Sequence, residues 1–283
     1  MELNELRSIF LKKVSEAHNI GEAVAMFREV YLHFSGKDPV HPMRQEIVHE
    51  AVSAGVMNMA AKLATGMPLQ YVLGYTYFCG NQFLVNPSVL IPRPETEELV
   101  TWILNDFATH APEHILDVGT GSGCIAISLA KAFPHANITA IDKSEEALHT
   151  ARLNADKILG KNHKILWIKL DYLSEFPDKI FDLIVSNPPY INLKDEHLVE
   201  SNVLNFEPSM ALFTPGDDGL VFYRRIALQL QLQKAGIIYA ELHAGMAEGA
   251  RRMFNEQVPG AEIAIKPDMS GILRMIRCIK KGS

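Results

Sequence analysis

Ile115-Leu116-Asp117-Val118-Gly119-Thr120-Gly121-Ser122-Gly123 sets a short apolar run directly against three glycines at alternate positions. The run predicts a buried strand. The residues after it, with Ile125, Leu129 and Ala130 on one face, predict a helix. Glycine at a strand-to-helix turn lets a ligand approach the backbone at the helix N-terminus. The spacing is GxGxG, and Cys124 stands where a dinucleotide fingerprint requires its third small residue, which argues against NAD or FAD. About twenty residues on, Asp142 ends a second apolar run, where a carboxylate can accept from both hydroxyls of a ribose. Loop and acid together propose an adenosine-bearing ligand, held by Gly119, Thr120, Gly121, Ser122, Gly123 and Asp142.

Outward from this loop the same texture continues. Apolar runs at 138–141, 165–170, 183–185 and 237–240 alternate with helical stretches, which predicts a parallel sheet covered on both faces. Two final runs, 262–265 and 272–279, flank Pro267-Asp268 and Ser270-Gly271 and predict a terminal antiparallel hairpin. The expected fold class is α/β, a doubly wound, mostly parallel seven-stranded sheet. Ahead of it, Leu3, Leu6, Phe10 and Val14 recur at helical spacing, as do Val24, Phe27, Tyr31 and Phe34. A third helical stretch runs through Ile47 to Gly55, and a fourth through Ala60 and Leu63 to Gly66. Residues 1–74 therefore read as a small helical domain. Residues 75–94 read as a linking β-hairpin, with turn signals at Gly80-Asn81 and Asn86-Pro87, and residues 95–283 as the catalytic domain, opening with a helix from about Glu95 to Thr109.

Asp171-Tyr172 follows the third sheet run and so falls on the same carboxyl edge as the glycine loop. There the ring of Tyr172 can lie on an adenine face and Asp171 can accept from its exocyclic amine. After the fourth run comes Ser186-Asn187-Pro188-Pro189-Tyr190. Two consecutive prolines remove two backbone N–H donors and keep their carbonyl acceptors. The Asn187 side-chain oxygen and a proline carbonyl can each take one hydrogen of an NH₂ group, with the Tyr190 ring covering the planar group. That chemistry suits a substrate of the amide or exocyclic-amine type. The motif contains no group that titrates near neutrality, so the expected contribution is proximity, orientation and electrostatics rather than a strong base.

Composition narrows the classes. The chain of 283 residues is 48% hydrophobic, enough for a large core beside a smaller one. A formal charge of −6 lacks the cationic excess needed to hold nucleic-acid phosphates, so no stable nucleic-acid binding is expected. No apolar run is long enough to cross a bilayer, and Glu2 and Glu5 interrupt the segment where a signal peptide would need its apolar core. Cys79, Cys124 and Cys278 show neither a disulfide framework nor metal spacing, and the histidines form no ligand pair. The expectation is a cytoplasmic protein with reduced thiols and no metal.

Asn187 to Tyr190, the glycine loop, Pro68-Leu69-Gln70-Tyr71, the Phe78 to Val85 hairpin and Ile91-Pro92-Arg93-Pro94-Glu95-Thr96-Glu97 together resemble the PrmC/HemK family of release-factor glutamine methyltransferases. Glu207-Pro208 and Gly216-Asp217-Asp218-Gly219-Leu220 also look like that family. The resemblance implies S-adenosylmethionine as cofactor. It further implies methyl transfer to the side-chain amide nitrogen of the glutamine in the Gly-Gly-Gln motif of peptide-chain release factors, with the N-terminal helices and hairpin helping to recognise that protein. Carried over by position, Gly119 to Gly123, Asp142, Tyr172 and Asn187 contact the cofactor, and Asn187 to Tyr190 hold the glutamine. Arg93 and Glu95 stay open between scaffold and substrate contact. The chain departs from the family at Tyr172, where tryptophan is frequent, and at Glu241-Leu242-His243, where glycine is frequent in the third place. The alternatives are a nucleic-acid adenine or guanine amino-methyltransferase, a module that binds S-adenosylmethionine without catalysis, and a dinucleotide oxidoreductase.

Overall fold

The computed structural model describes residues 1–39, 47–233 and 236–282. In chain order, α1 (Leu3–Val14), α2 (Ile20–Ser35), α3 (Glu50–Leu63) and α4 (Leu69–Leu73) precede the strands β1 (Tyr75–Phe78) and β2 (Asn81–Leu84). α5 (Pro94–Asp106) leads into β3 (His114–Val118), α6 (Cys124–Ala132), β4 (Asn137–Asp142), α7 (Glu145–Leu159), β5 (Leu166–Lys169) and β6 (Leu183–Ser186). After a 3₁₀ turn at Leu193–Leu198 come α8 (Ser201–Phe206), α9 (Ser209–Leu212), α10 (Val221–Leu232) and β7 (Gly236–Glu241). The chain closes with α11 (Ala247–Gln257), β8 (Glu262–Pro267) and β9 (Leu273–Lys280). It divides into two compact units, one of Met1–Tyr75 with Ser201–Phe206, the other of Thr76–Glu200 with Glu207–Ser283.

The smaller unit is a helical core in which Leu6, Phe10, Val14, Phe27 and Tyr31 are buried at the predicted helical spacing, whereas Val24 and Phe34 are exposed and Val30 takes the core position between them. Its third and fourth expected stretches are a single helix, α3, which Gly55 does not interrupt. A Cβ at Gly55 would stand 2.5 Å from the ring of Phe34, so the glycine is there to let α2 and α3 approach.

In the larger unit the seven-stranded sheet has the order β5-β4-β3-β6-β7-β9-β8, parallel except for the two antiparallel pairings made by β9. This is the predicted fold. Successive side chains of β3 serve opposite faces. Ile115 packs under α5 and α6 with Leu99, Ile103 and Ile127, and Leu116 packs under α10 and α11 with Ile226 and Phe254. Burial on both faces is why these strands read as continuous apolar runs rather than alternating ones. The β1–β2 turn falls at Cys79-Gly80, with φ of 46° and 70°, one residue before the expected Gly80-Asn81. The positive φ at both turn positions matches the right-handed twist of a two-residue hairpin. Phe78 and Phe83 put this hairpin into the core beside α5.

Strand order reverses between β3 and β6, and ligands in sheets of this kind bind outside the carboxyl ends of the strands at that point. The loops after β3, β4 and β6 all open there.

Candidate active site

After Val118 the chain folds back on β4, Gly119 and Thr120 each donating a backbone N–H to the Ile141 carbonyl at 3.0 Å. The glycines serve two purposes. Gly119 and Gly121, at φ of 72° and 55°, have open space where a Cβ would stand, which leaves the backbone accessible to a ligand. Gly123 faces inward, where a Cβ would meet Ile127 at 2.9 Å and Ala151 at 3.1 Å, so it permits the packing of α6 on α7. Beneath the loop Asp117 is fully buried and accepts from Thr120 Oγ1 at 2.6 Å and from the Ala126 N–H at 3.2 Å. Burial pushes its carboxyl up to about 7.

Asp142 holds the loop from the next strand. Its Oδ2 accepts the Gly121 N–H and its Oδ1 the Ser144 N–H, both at 2.9 Å. Burial raises its pKa while these backbone donors oppose the rise. Each carboxylate oxygen keeps lone-pair capacity for a ligand hydroxyl. Asp171 is paired with Lys143 at 2.8 Å, which holds its carboxyl below the ordinary value. Tyr172 is only 4% exposed, because its hydroxyl is drawn into the core by a hydrogen bond to Gln229 and its ring meets Phe176 edge-on. These contacts fix the ring where it borders the cavity.

Ser186 ends β6 by donating its hydroxyl to the Val118 carbonyl at 2.7 Å, which ties the acceptor loop to the glycine loop. Asn187 Nδ2 donates to Thr96 Oγ1 at 3.1 Å, and Thr96 Oγ1 donates to Glu241 Oε2 at 2.6 Å. Thr96 and Glu241 are both buried, and burial pushes Glu241 up to about 7 against the opposing bond from Thr96. Among the described residues no donor occupies the carbonyl of Pro188 or Pro189.

These loops line a cavity of about 550 Å³, within the range of small-molecule sites. Gly119, Thr120, Gly121, Ser122, Asp142, Asp171, Tyr172, Asn187, Pro188 and Pro189 all border it. Two predicted residues do not. Gly123 is turned into the α6–α7 packing, and Tyr190 lies against His243 with ring centroids 5.4 Å apart. Arg93 does border the cavity, with its guanidinium bound at 2.5 Å to the buried carboxylate of Glu207, which also accepts the Ile91 N–H. Glu97 accepts the Cys79 N–H at 2.8 Å and so anchors the hairpin.

Sequence reasoning missed three residues that organise this site. Thr96 sat unassigned inside the quoted 91–97 stretch. Glu241 carried a signal, an acid closing the apolar run 237–240 on the ligand edge. Asn154, fully buried, carried none; it bonds the Leu84 N–H and carbonyl at 2.6 and 3.0 Å and the Ser122 carbonyl at 2.9 Å, joining the hairpin to the glycine loop.

The chain matches the methyltransferase small domain family over residues 98–235. Among solved structures, the hMettl16 catalytic domain in complex with a 3′UTR hairpin shares the fold, with a TM-score of 0.59 and 15% identity over 92% of this chain and 93% of that one. A release factor glutamine methyltransferase from Flavobacterium psychrophilum is 42% identical over 216 residues, 74% of each chain. Another from Streptococcus pneumoniae is 37% identical over 278 residues, 98% of each chain. With that identity sustained from end to end, the chain belongs to the release factor glutamine methyltransferase family.

Proposed function

We infer that the protein transfers a methyl group from S-adenosylmethionine to the side-chain amide nitrogen of the glutamine in the Gly-Gly-Gln motif of peptide-chain release factors. The observation that carries this reading is the orientation of Asn187. Its NH₂ is committed to Thr96, so its other arm, Oδ1, is the one left to accept from a substrate amide. Beside it the carbonyls of Pro188 and Pro189 offer further acceptors in the cavity of about 550 Å³.

The cofactor supplies a methyl carbon already activated by a sulfonium. Asp142 would accept the ribose hydroxyls, and the open backbone at Gly119 and Gly121 would let the cofactor lie against the loop. The lone pair of an amide nitrogen is delocalised and attacks poorly unless both hydrogens are held and the nitrogen is aligned. Asn187 Oδ1 and the Pro188 carbonyl take those hydrogens, so the residues contribute orientation and electrostatics. Tyr190, with burial pushing its hydroxyl up to about 12, stays neutral and is no base at physiological pH; the leaving proton passes to water.

The partner is a protein, and the chain's acidic balance supports the absence of stable nucleic-acid binding. Among the described residues no helix is long and apolar enough to cross a membrane. A cytoplasmic location, where release factors work, fits the reading.

The test uses methyl-labelled cofactor with a release factor, its Gln-to-Ala variant in the Gly-Gly-Gln motif, structured RNA and DNA, followed by mass spectrometry. Label on that glutamine and none on the variant is expected. Asn187→Ala should lower kcat by about a hundredfold or more with the fold intact. Label confined to nucleic acid would overturn the substrate assignment.

A further inference from the structure

We propose that Thr96 and Glu241 are positioning residues that decide which face of the Asn187 amide meets the substrate. The proposal rests on the glutamine-methylation reading and adds to it a control element behind the acceptor loop.

An asparagine amide carries an acceptor on one arm and donors on the other, and a half-turn about its last bond exchanges them. Only one of the two orientations suits a substrate NH₂, the one with Oδ1 toward it. Asn187 itself does not distinguish them. Thr96 does so only while its single hydroxyl hydrogen is engaged elsewhere. In the structure that hydrogen goes to Glu241 Oε2 at 2.6 Å, so Thr96 Oγ1 offers only lone pairs to Asn187 and must be met by the Nδ2 hydrogen at 3.1 Å. The carboxylate thereby sets the hydroxyl, and the hydroxyl sets the amide. When Glu241 takes up a proton, its own O–H can donate to Thr96. The threonine hydrogen is then released toward Asn187, the opposite amide orientation is favoured, and the substrate NH₂ meets a donor.

The groups around Glu241 come from every side of it. Glu95 on α5 opposes ionisation, while Arg274 on β9 and Arg93 ahead of α5 favour it. Arg274 is paired with Asp268 at 2.8 Å and Arg93 with Glu207, so neither cation is given over to Glu241 alone. The Tyr223 hydroxyl on α10 donates to the Glu241 carbonyl at 2.6 Å, and the neutral Tyr190 lies near enough for its own ionisation to be opposed by Glu241. Burial outweighs these influences and puts the carboxyl at about 7, so the relay changes state within the working range of a cell.

The test compares Thr96→Val, which keeps the shape and removes the hydroxyl, with Thr96→Ser, which restores it. Thr96→Val should lower kcat at least about tenfold with KM for the cofactor within about threefold of wild type, and Thr96→Ser should recover most of the loss. Affinity for S-adenosylhomocysteine, read by calorimetry in the absence of turnover, should be unchanged in both. Wild-type kcat should fall as pH drops through about 7, and Glu241→Gln should flatten that limb. If Thr96→Val does not fold, the Ser variant and the two pH profiles decide. Near-wild-type kcat in Thr96→Val, a Ser variant as impaired as Val, or an acid limb retained in Glu241→Gln overturns the relay. A wild-type protein that labels no glutamine sinks the parent reading instead, and the relay with it.

Discussion

Replacing Glu241 by Gln tests the buried carboxyl independently of any activity. The residue is 3% exposed, and burial moves its pKa from the ordinary 4.5 to about 7. A folded-state pKa raised in this way favours the protonated form, so its contribution to stability is fully present below about pH 4.5 and is lost as pH rises through about 7. Each pH unit between those two values is worth about 1.4 kcal/mol, so the whole loss is about 3 kcal/mol, of which about 1 is already gone at pH 5. Glutamine does not titrate, so whatever offset it introduces is constant with pH. The stability of Glu241→Gln relative to wild type should therefore rise by about 2 to 3 kcal/mol between pH 5 and pH 8. Asp117, also pushed up to about 7, is present in both proteins and cancels. Urea unfolding followed by tryptophan fluorescence measures this cleanly, because Trp102 and Trp167, the only two tryptophans, both lie in the unit that holds Glu241. A gap that stays constant across that pH range would refute the argument that desolvation raises the pKa of this carboxyl.

Asp142→Ala removes a carboxylate that accepts from Gly121 and Ser144 and is assigned the ribose hydroxyls. Two charge-assisted bonds are worth about 3 kcal/mol together, so calorimetry should find S-adenosylhomocysteine bound about a hundredfold more weakly, and unchanged affinity removes the assignment. Gly123→Ala forces a Cβ to within 2.9 Å of Ile127 at a φ of 80° and should cost about 2 to 3 kcal/mol in urea unfolding; a neutral effect would show that α6 can shift to make room. Asn154→Ala strands the backbone groups of Leu84 and the Ser122 carbonyl and should cost about 2 to 4 kcal/mol, with faster amide exchange at Leu84; native-like protection there would mean that the hairpin is held by Phe78 and Phe83 alone.

What could be read from the sequence was whatever leaves a local mark. Strands buried on both faces leave apolar runs, so 115–118, 138–141, 183–185 and 237–240 fell where the sheet has them. The glycine loop and Asp142 were legible because backbone geometry and strand order fix them together. Gly55 misled because a glycine that ends a helix and one that admits a neighbouring ring look alike in sequence. Tyr172 and Tyr190 were placed on the right edge of the sheet, but the direction of each ring depends on distant partners, Gln229 for one and His243 for the other. The same holds for the bond from Thr96 to Glu241, which joins residues 145 positions apart, and for that from Arg93 to Glu207, 114 apart. No periodicity records such a pairing.

The distance between the two working loops is set by the sheet. Val118 pairs with Ser186 in the β3–β6 register, and the Ser186 hydroxyl closes on the Val118 carbonyl just where the two loops diverge. A one-residue slip would turn Ser186 to the opposite face and break that link, so the register that buries Leu183, Ile184 and Val185 also fixes the acceptor loop beside the glycine loop. The two loops are thus brought together by core packing, which any protein with this fold can share; the hMettl16 domain has the fold at 15% identity. On the proposed reading, selection among planar nitrogens comes from what stands around Asn187. Here that is the segment from Ile91 to Glu97, which locks Arg93 to Glu207, supplies Thr96 to the asparagine and anchors the hairpin through Glu97. Exchanging this segment should alter substrate preference, read as the share of label on release factor against RNA, while leaving cofactor affinity in place, because none of its bonds reaches Asp142 or the glycines that hold the loop.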